Sequence, residues 1–175
     1  MTVFKVAGVD PSMTATGIAV LHSSGKEEVS IIKSRKAGDT PKDETVRLVA
    51  LAGEIYEAVE GCDMVAIEGL AFMARNTTAL CQLAALNYML RAMLVEGGMA
   101  FAVVAPGSLK KFTTGRGNAK KDEMMMEVYR RWGFAAKQSD AADAYALAKL
   151  AEMMVTGKGE NRAQEEVLSL INRQF

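Results

Sequence analysis

The sequence contains few of the residues that most often build catalytic and metal sites. Its 175 residues include one histidine, two cysteines and three prolines. One histidine, His22, is too few for a histidine-based cluster, and Cys62 with Cys81 fits neither a disulfide framework nor a zinc site. No apolar run approaches the roughly 18 to 20 residues of a membrane span, and the N-terminus lacks the layout of a signal peptide. We therefore expect a cytoplasmic protein that does not contact a membrane.

Net charge is also absent. Lysine and arginine total 21, and aspartate and glutamate total 21, so no overall field attracts a polyanion. The distribution is uneven, because residues 110–131 hold seven basic and three acidic residues. A basic segment on a neutral protein can bind phosphate groups with little long-range attraction. A solvated helix face is the alternative explanation of this segment.

Apolar patterning supplies enough material for one folded domain, since half of the residues are hydrophobic. Strands are predicted over residues 3–9, 17–22, 29–34, 64–67 and 101–104, with SSGK as the hairpin turn between the second and third. The first three strands therefore form an antiparallel meander. Helices are predicted over residues 42–60, 76–96, 120–132, 140–154 and 162–172, with a short turn or helix from Pro106 and a loop over TTGRGNA. This order predicts an α/β fold with a mixed sheet covered by helices.

The predicted helix over residues 76–96 is apolar around most of its circumference. A helix of this kind usually buries two faces. We therefore expect part of its surface to contact another subunit.

Acidic residues lie at the ends of three apolar elements. Asp10 ends the first strand in VAGVDPS, and Glu68 ends a later strand in MVAIEG. Asp140 and Asp143 open a helix in SDAADAYALAKLA, and their spacing of three places both on one helix face. If the first and fourth strands are neighbours, Asp10 and Glu68 end side by side. The helix can then gather all four carboxylates in one pocket.

Carboxylates a few ångströms apart repel each other, and divalent cations relieve that repulsion. Oxygen ligands without nearby histidine or cysteine favour magnesium or manganese over zinc. Two such ions, roughly 3.5 to 4 Å apart, can activate water and stabilise the leaving oxygen in phosphodiester hydrolysis. Each acid also has a structural alternative. Asp10 can initiate a turn, Glu68 can be a solvated strand end, and Asp140 with Asp143 can cap a helix.

Four sequence blocks occur together in a recognisable order: GVDPSMTATGIAVL, AIEGLAF, APGSLKKFTTGRGNAKKDEM and SDAADAYALA. From about residue 3 to residue 150 the chain resembles the RuvC-type Holliday junction resolvases of the RNase H-like superfamily. The resemblance implies a mixed five-stranded sheet whose first three strands are antiparallel, with helices on both faces. It assigns residues 1–157 to the nuclease domain and residues 158–175 to a C-terminal helical extension of that domain.

The resemblance also implies roles for individual residues. The metal-binding catalytic acids would be Asp10, Glu68, Asp140 and Asp143, holding two Mg²⁺ ions for which Mn²⁺ would substitute. Lys110 and Lys121 fall where the family places basic residues near the scissile phosphate, and Lys121 is assigned to catalysis. The predicted DNA-binding residues are Lys110, Lys111, Arg116, Lys120, Lys121 and Phe72. For the lysines, ordinary surface charge is the alternative.

The chain departs from the family pattern in two respects. Family members often carry an aromatic residue just after the catalytic glutamate, where this chain has Ala71 followed by Phe72. Phe72 contacts DNA bases if the loop is one residue longer, and otherwise it is a core residue. Some relatives are strongly basic, whereas this chain is neutral. We therefore expect DNA contacts to concentrate on the face that bears residues 110–121.

The resulting hypothesis is a magnesium-dependent endonuclease that resolves four-way DNA junctions. It would act as a homodimer making paired cuts, each leaving a 5′-phosphate and a 3′-hydroxyl. One alternative is a related nuclease for other branched or hybrid nucleic acids, and another is a non-catalytic module that binds branched DNA. A metal-stabilised structural protein is a third. The sequence leaves open the cleavage sequence, a bacterial or phage host, and whether a branch-migration motor is a partner.

Overall fold

Five strands form one mixed sheet in the computed structural model, which describes residues 3–36, 38–70, 77–157 and 159–171. The strands are β1 (Lys5–Asp10), β2 (Ala15–His22), β3 (Glu27–Lys33), β4 (Met64–Glu68) and β5 (Phe101–Val104). Their order is β3-β2-β1-β4-β5. The first three strands are antiparallel, whereas β4 is parallel to both β1 and β5. The predicted mixed sheet is confirmed, and β1 is its central strand.

Six helices cover the two faces of the sheet within the described residues. They are α1 (Pro41–Val59), α2 (Thr77–Glu96), α3 (Pro106–Thr114), α4 (Lys121–Trp132), α5 (Ser139–Thr156) and α6 (Arg162–Ile171). Helices α1 and α2 pack on one face, and helices α3 to α6 pack on the other. Val167, Leu168 and Ile171 of α6 lie in the same core as α5. The division of the chain at residue 157 stays a prediction.

Strand alternation decides which side chains face each helical layer. Along β1, Ala7 and Val9 point into the α1–α2 core, while Val6 points into the α5 core. Side chains two residues apart share a face, so Asp10 is directed toward α5. Along β4, Ala66 belongs to the α5 core, which gives Glu68 the same direction. The sheet therefore turns both strand-end acids toward one helix.

Two strand glycines let α5 lie directly on the sheet. A Cβ on Gly8 would overlap with backbone atoms of Ala144 and Ala148, and a Cβ on Gly17 would overlap with the carbonyl group of Asp140. Glycine inside a strand often marks such a close backbone approach. The first turns of α5 are therefore held against the ends of β1 and β2.

The prediction that all of the segment TTGRGNA is a loop is wrong at its start. Its first two residues, Thr113 and Thr114, belong to α3, and Thr113 is fully buried. Pro106 suits the first turn of a helix, and Leu109 and Phe112 give α3 a buried face that extends the helix. Gly115, at φ +81°, then ends it.

Helix α2 corrects the expectation that no stretch approaches a membrane span. By length and composition alone it could cross a membrane, because Gln82, Asn87 and Arg91 interrupt its apolar residues without offsetting them. One such helix is weak evidence for a span. Core helices pass the same test, but only 22% of the apolar window of α2 is buried, with Leu86, Leu90 and Leu94 among the buried residues.

Candidate functional site

The carboxyl groups of Asp10 and Glu68 lie side by side at one edge of the sheet. Strands β1 and β4 are parallel and pair Val9 with Ile67, so the next residue of each strand is one of these acids. A hydrogen bond joins the two carboxyl groups. The side-chain amide of Asn87 in α2 donates to the backbone oxygen of Glu68 at 3.0 Å. Parallel pairing of β1 with β4 therefore places the two acids side by side, as predicted for adjacent strands.

Burial raises the pKa of both acids, and nearby carboxylates raise it further, chiefly Glu68 for Asp10 and Asp140 for Glu68. For Asp10 the larger cause is burial, followed by the neighbouring charge of Glu68 and by Asp143 and Asp140. Burial is also the first cause for Glu68, and the opposing effects come from Asp10, Lys110 and Lys121. Two carboxyl groups in hydrogen-bond contact share a proton unless a cation replaces it. This pair therefore favours a bound cation or a retained proton.

Asp140 and Asp143 approach the pair from the first turns of α5. Both are partly buried, and both act on the charge of Asp10. Burial and the charge of Glu68 raise the pKa of Asp143 to about 6. The N-cap of α5 is Gln138, with no side-chain capping bond, so neither aspartate caps this helix. The alternative that these acids serve as a cap does not describe the structure.

The described residues contain no group of three or more His, Cys, Asp or Glu side chains arranged to hold a metal ion. Asp10 and Glu68 are in contact, and the two α5 aspartates reach them through electrostatic interaction. The donors present are carboxylate oxygens. His22 ends β2 opposite Lys5, at the other end of β1 from Asp10, and bonds Glu28. This donor chemistry fits a hard divalent cation.

Lys110 and Lys121 face the acidic cluster. Both lower the pKa values of Glu68 and Asp143, which places their charges near those carboxyl groups. The Lys121 ammonium donates to the Ser139 hydroxyl at 3.3 Å, and that hydroxyl donates to Asp140 at 3.1 Å. The start of α4 is thereby joined to the start of α5 beside the acids.

The other predicted DNA-binding residues have different surroundings. Lys111 is paired with Glu166 at 2.7 Å, and Arg116 is paired with Glu123 at 3.2 Å. Lys120 is the N-cap of α4 and comes directly after the loop that follows α3. Its side chain is exposed. Phe72 lies outside the described residues, so its predicted contact with DNA bases stays a prediction.

Some residues that build this site were not found by sequence reasoning. Gly8 and Gly17 fix the position of α5, Asn87 secures the end of β4, and Ser139 links Lys121 to Asp140. The glycines carried a usable signal, because glycine within a strand pattern often marks close backbone approach. The only signal at Asn87 is that a polar residue interrupts an apolar helix. Ser139 carried no signal of its own.

Comparisons with known proteins identify the family of the chain. The family model for crossover junction endodeoxyribonuclease RuvC matches residues 6–150. Curated RuvC proteins from Bifidobacterium adolescentis and Mycobacterium avium are 29% and 32% identical to the chain. The first alignment covers 97% of this chain and 90% of the relative, and the second covers 82% and 79%.

Solved structures share the fold. Thermus thermophilus RuvC in complex with a Holliday junction substrate has a TM-score of 0.65 at 24% identity, over 83% of this chain and 90% of that one. The yeast mitochondrial Holliday junction resolvase Ydc2 has a TM-score of 0.60 at 11% identity, over 97% and 84%. Because the family model spans most of the sequence and relatives above 30% identity align over four fifths of it, this protein belongs to the RuvC family of crossover junction endodeoxyribonucleases.

Proposed function

We propose that this protein is a metal-dependent endonuclease that resolves four-way DNA junctions, with Asp10, Glu68, Asp140 and Asp143 as its catalytic acids. The observation that carries the proposal is the contact between the Asp10 and Glu68 carboxyl groups. It lies beside Asp143 and two lysines, in a chain of the RuvC family. An isolated structural acid would not need a second buried carboxyl group at hydrogen-bond distance.

The four acids are the residues that would hold Mg²⁺, with Mn²⁺ as a substitute. When bound, such ions supply an activated water and neutralise charge on the phosphate. The raised pKa values of Asp10 and Glu68 are consistent with a site that a bound cation would stabilise. Burial beside α5 limits the access of bulk water to these carboxylates and strengthens every charge interaction among them.

Lys110 and Lys121 act on the phosphate side of this arrangement. Their positive charges lie close enough to lower the pKa values of Glu68 and Asp143. A phosphodiester approaching the acids would meet those charges, which oppose the extra negative charge of the transition state. Ser139 holds the Lys121 ammonium in this position through a hydrogen bond of 3.3 Å. Lys121 is therefore assigned to catalysis, and Lys110 to binding the phosphate and neutralising its charge in the transition state.

A homodimer follows from the need for two opposed cuts, because a two-fold pair presents two equivalent sites. Helix α2 offers the surface for it. One side packs into the core, and the other exposes a stripe at a spacing of three or four residues. The stripe, here called the α2 stripe, consists of the exposed Cys81, Tyr88, Ala92 and Val95 and the half-buried Ala84. A spacing near 3.5 residues suits contact between two helices.

The experiment is incubation of the protein with a synthetic four-way junction and, separately, with duplex DNA of the same sequence. Each substrate is tested with Mg²⁺ and with a chelator. The proposal predicts paired symmetric nicks in the junction only when Mg²⁺ is present, and much slower cutting of the duplex. Equal cutting of both substrates removes junction selectivity. Binding without cutting in Mg²⁺ or Mn²⁺ favours the non-catalytic module.

A further inference from the structure

The acidic site lies at the middle of the sheet edge where the carboxyl ends of β1 and β4 meet. A second group of basic residues lies farther along the same edge, at the end of β3. Asp10 of β1 pairs with Gly17 of β2, and Ala15 of β2 pairs with Lys33 of β3. The carboxyl end of β3 is therefore at the same edge as Asp10. It lies on the opposite side from Lys110 and Lys121, which follow β5.

A groove opens between this end of β3 and helix α1, and we call it the β3–α1 groove. It has a volume of about 310 Å³. Four basic residues line it (Lys33, Arg35, Lys42 and Arg47), together with two acids (Asp43 and Glu54). The Asp43 carboxylate accepts two hydrogen bonds from Thr40, one from its backbone N–H and one from its hydroxyl, as part of the α1 capping box. The groove therefore carries a surplus of positive charge.

Arg47 fixes the shape of the groove. Its guanidinium donates to Ser34 Oγ at 2.9 Å and to the backbone oxygens of Ser34 and Met13. The backbone N–H of Ser34 in turn donates to the oxygen of Thr14 at 3.0 Å. The segment after β3 is thus tied to the β1–β2 turn that begins just beyond Asp10. A preformed groove binds a ligand without the entropy cost of ordering a loop.

Lys33 and Arg35 are not explained by pairing within the protein. Both are exposed, and neither forms an ion pair with an acid in the part of the chain that the structure describes. Lys36, in contrast, is paired with Asp39. Unpaired exposed cations beside a preformed groove are suited to phosphate oxygens, which accept charge-assisted hydrogen bonds.

We propose that the β3–α1 groove binds the sugar-phosphate backbone of DNA on the side of the active site away from Lys110 and Lys121. This inference rests on the proposed function, because it assigns a second contact to the same substrate. Strands in a sheet are roughly 4.8 Å apart, so β3 lies about 10 Å from β1. One strand of DNA carries one charge per about 3.4 Å of helix axis, so the groove contacts a phosphate about three nucleotides or more from the cleaved one.

The test compares two double variants that remove the same charge. Lys33→Gln/Arg35→Gln removes the two unpaired cations at the groove. Lys5→Gln/Lys26→Gln removes two cations from the other end of the same sheet, where Lys5 begins β1 and Lys26 precedes β3. Each full-length protein is titrated against a labelled four-way junction in chelator, by fluorescence anisotropy over a range of salt concentrations.

The groove variant is expected to bind the junction about tenfold more weakly near 0.1 M salt. Its log–log salt slope should fall by about 1 for each phosphate that the variant no longer neutralises. The control variant should bind within about twofold of wild type, because salt screens cations at the far end of the sheet from the DNA. Cleavage at subsaturating junction should fall with affinity in the groove variant and stay unchanged in the control variant.

A junction with single neutral methylphosphonates near the cut gives a second measurement. Wild type should lose affinity when the methylphosphonate lies about three nucleotides from the cut. The groove variant should lose no further affinity at that position, because it already lacks the contact. Wild-type affinity in the groove variant, with wild type still binding and cutting the junction, overturns the groove assignment alone. Failure of wild type to bind or cut the junction overturns the proposed function and this inference with it.

Discussion

Gly17 lies directly beneath the backbone carbonyl group of Asp140, and the space between them has no room for a Cβ. Gly17 is also the β2 residue paired with Asp10. One glycine therefore sets the distance between the strand that carries the first acid and the helix that carries the last two. The position of the candidate active site depends on this contact as much as on the acids.

Replacing Gly17 with alanine should destabilise the protein and disable the site together. The methyl group meets backbone atoms, which cannot turn aside, so we expect a loss at or above the usual 1–3 kcal/mol for overpacking. Gly53→Ala is the control, because Gly53 lies within α1 with nothing near its missing Cβ. That change should stabilise by about 0.5–1 kcal/mol. Urea unfolding measures both, and an unaltered stability in Gly17→Ala would contradict the close contact.

The stability of the metal-free protein should fall as pH rises. Asp143 has its pKa raised from 3.8 to about 6, and the pKa values of Asp10 and Glu68 are raised as well. A raised folded-state pKa contributes stability below the unfolded value that is lost as pH rises through the folded value. The loss from Asp143 therefore falls between about pH 4 and about pH 6 and amounts to at most about 3 kcal/mol. The losses from Asp10 and Glu68 begin at their own unfolded values and continue upward.

Urea unfolding in chelator, at about pH 5 and about pH 8, checks this dependence. Asp143→Asn should flatten the profile, and added Mg²⁺ should reduce the slope in wild type. Acids whose pKa values are lowered, such as Glu123 and Glu166, contribute stability that is lost as the pH falls below about 4.5. Their effect therefore lies outside the range from pH 5 to pH 8. A wild-type protein that gains stability from pH 5 to pH 8 in chelator would refute the assigned direction.

Adjacent lysines should differ sharply in their effect on cleavage. Lys110 acts on the charges of Glu68 and Asp143, whereas Lys111 is paired with Glu166. Lys110→Gln should slow single-turnover cleavage of the junction by about 100-fold, as expected for loss of one group that stabilises the transition state. Lys111→Gln should change the rate by less than about threefold, because exposed ion pairs contribute little. Equal effects of the two changes would remove the distinction.

The α2 stripe should control the oligomeric state. Tyr88 and Val95 are 62% and 66% exposed, which leaves their apolar surface available to a second copy. Tyr88→Glu/Val95→Glu should convert a dimer into a monomer in light scattering, because buried charge opposes association. Val49→Glu on α1, where Val49 is 53% exposed, is the matched control and should remain dimeric. A monomeric wild type that still makes paired cuts would argue against this interface.

Much of the fold was accessible from local sequence signals. The strand and helix positions followed from apolar periodicity, and the SSGK turn was marked by Gly25, which has φ +86°. Predicting the contact of Asp10 with Glu68 required only that β1 and β4 be neighbours and that both side chains lie on the same face of the sheet. Strand alternation then turned both side chains toward α5.

The remaining features depend on contacts that no local pattern specifies. The extent of α3 is decided by the burial of Thr113 and Phe112 under neighbouring helices, so TTG looked like a loop in isolation. The link from Lys121 through Ser139 to Asp140 exists because the N-termini of α4 and α5 lie side by side. Likewise, the partners of Lys111 and Arg116 became visible only in three dimensions.

The central claim is that the paired carboxyl groups of Asp10 and Glu68 are required for cleavage and not for folding or binding. The direct measurement is junction cleavage in Mg²⁺ by Asp10→Asn and Glu68→Gln, with Glu57→Gln on the exposed side of α1 as control. Both site variants should bind the junction, remain folded in chelator and cut at least about 1,000-fold more slowly than wild type, as loss of a metal ligand predicts. The control should cut at the wild-type rate. Cleavage by Asp10→Asn at or near the wild-type rate would contradict the account.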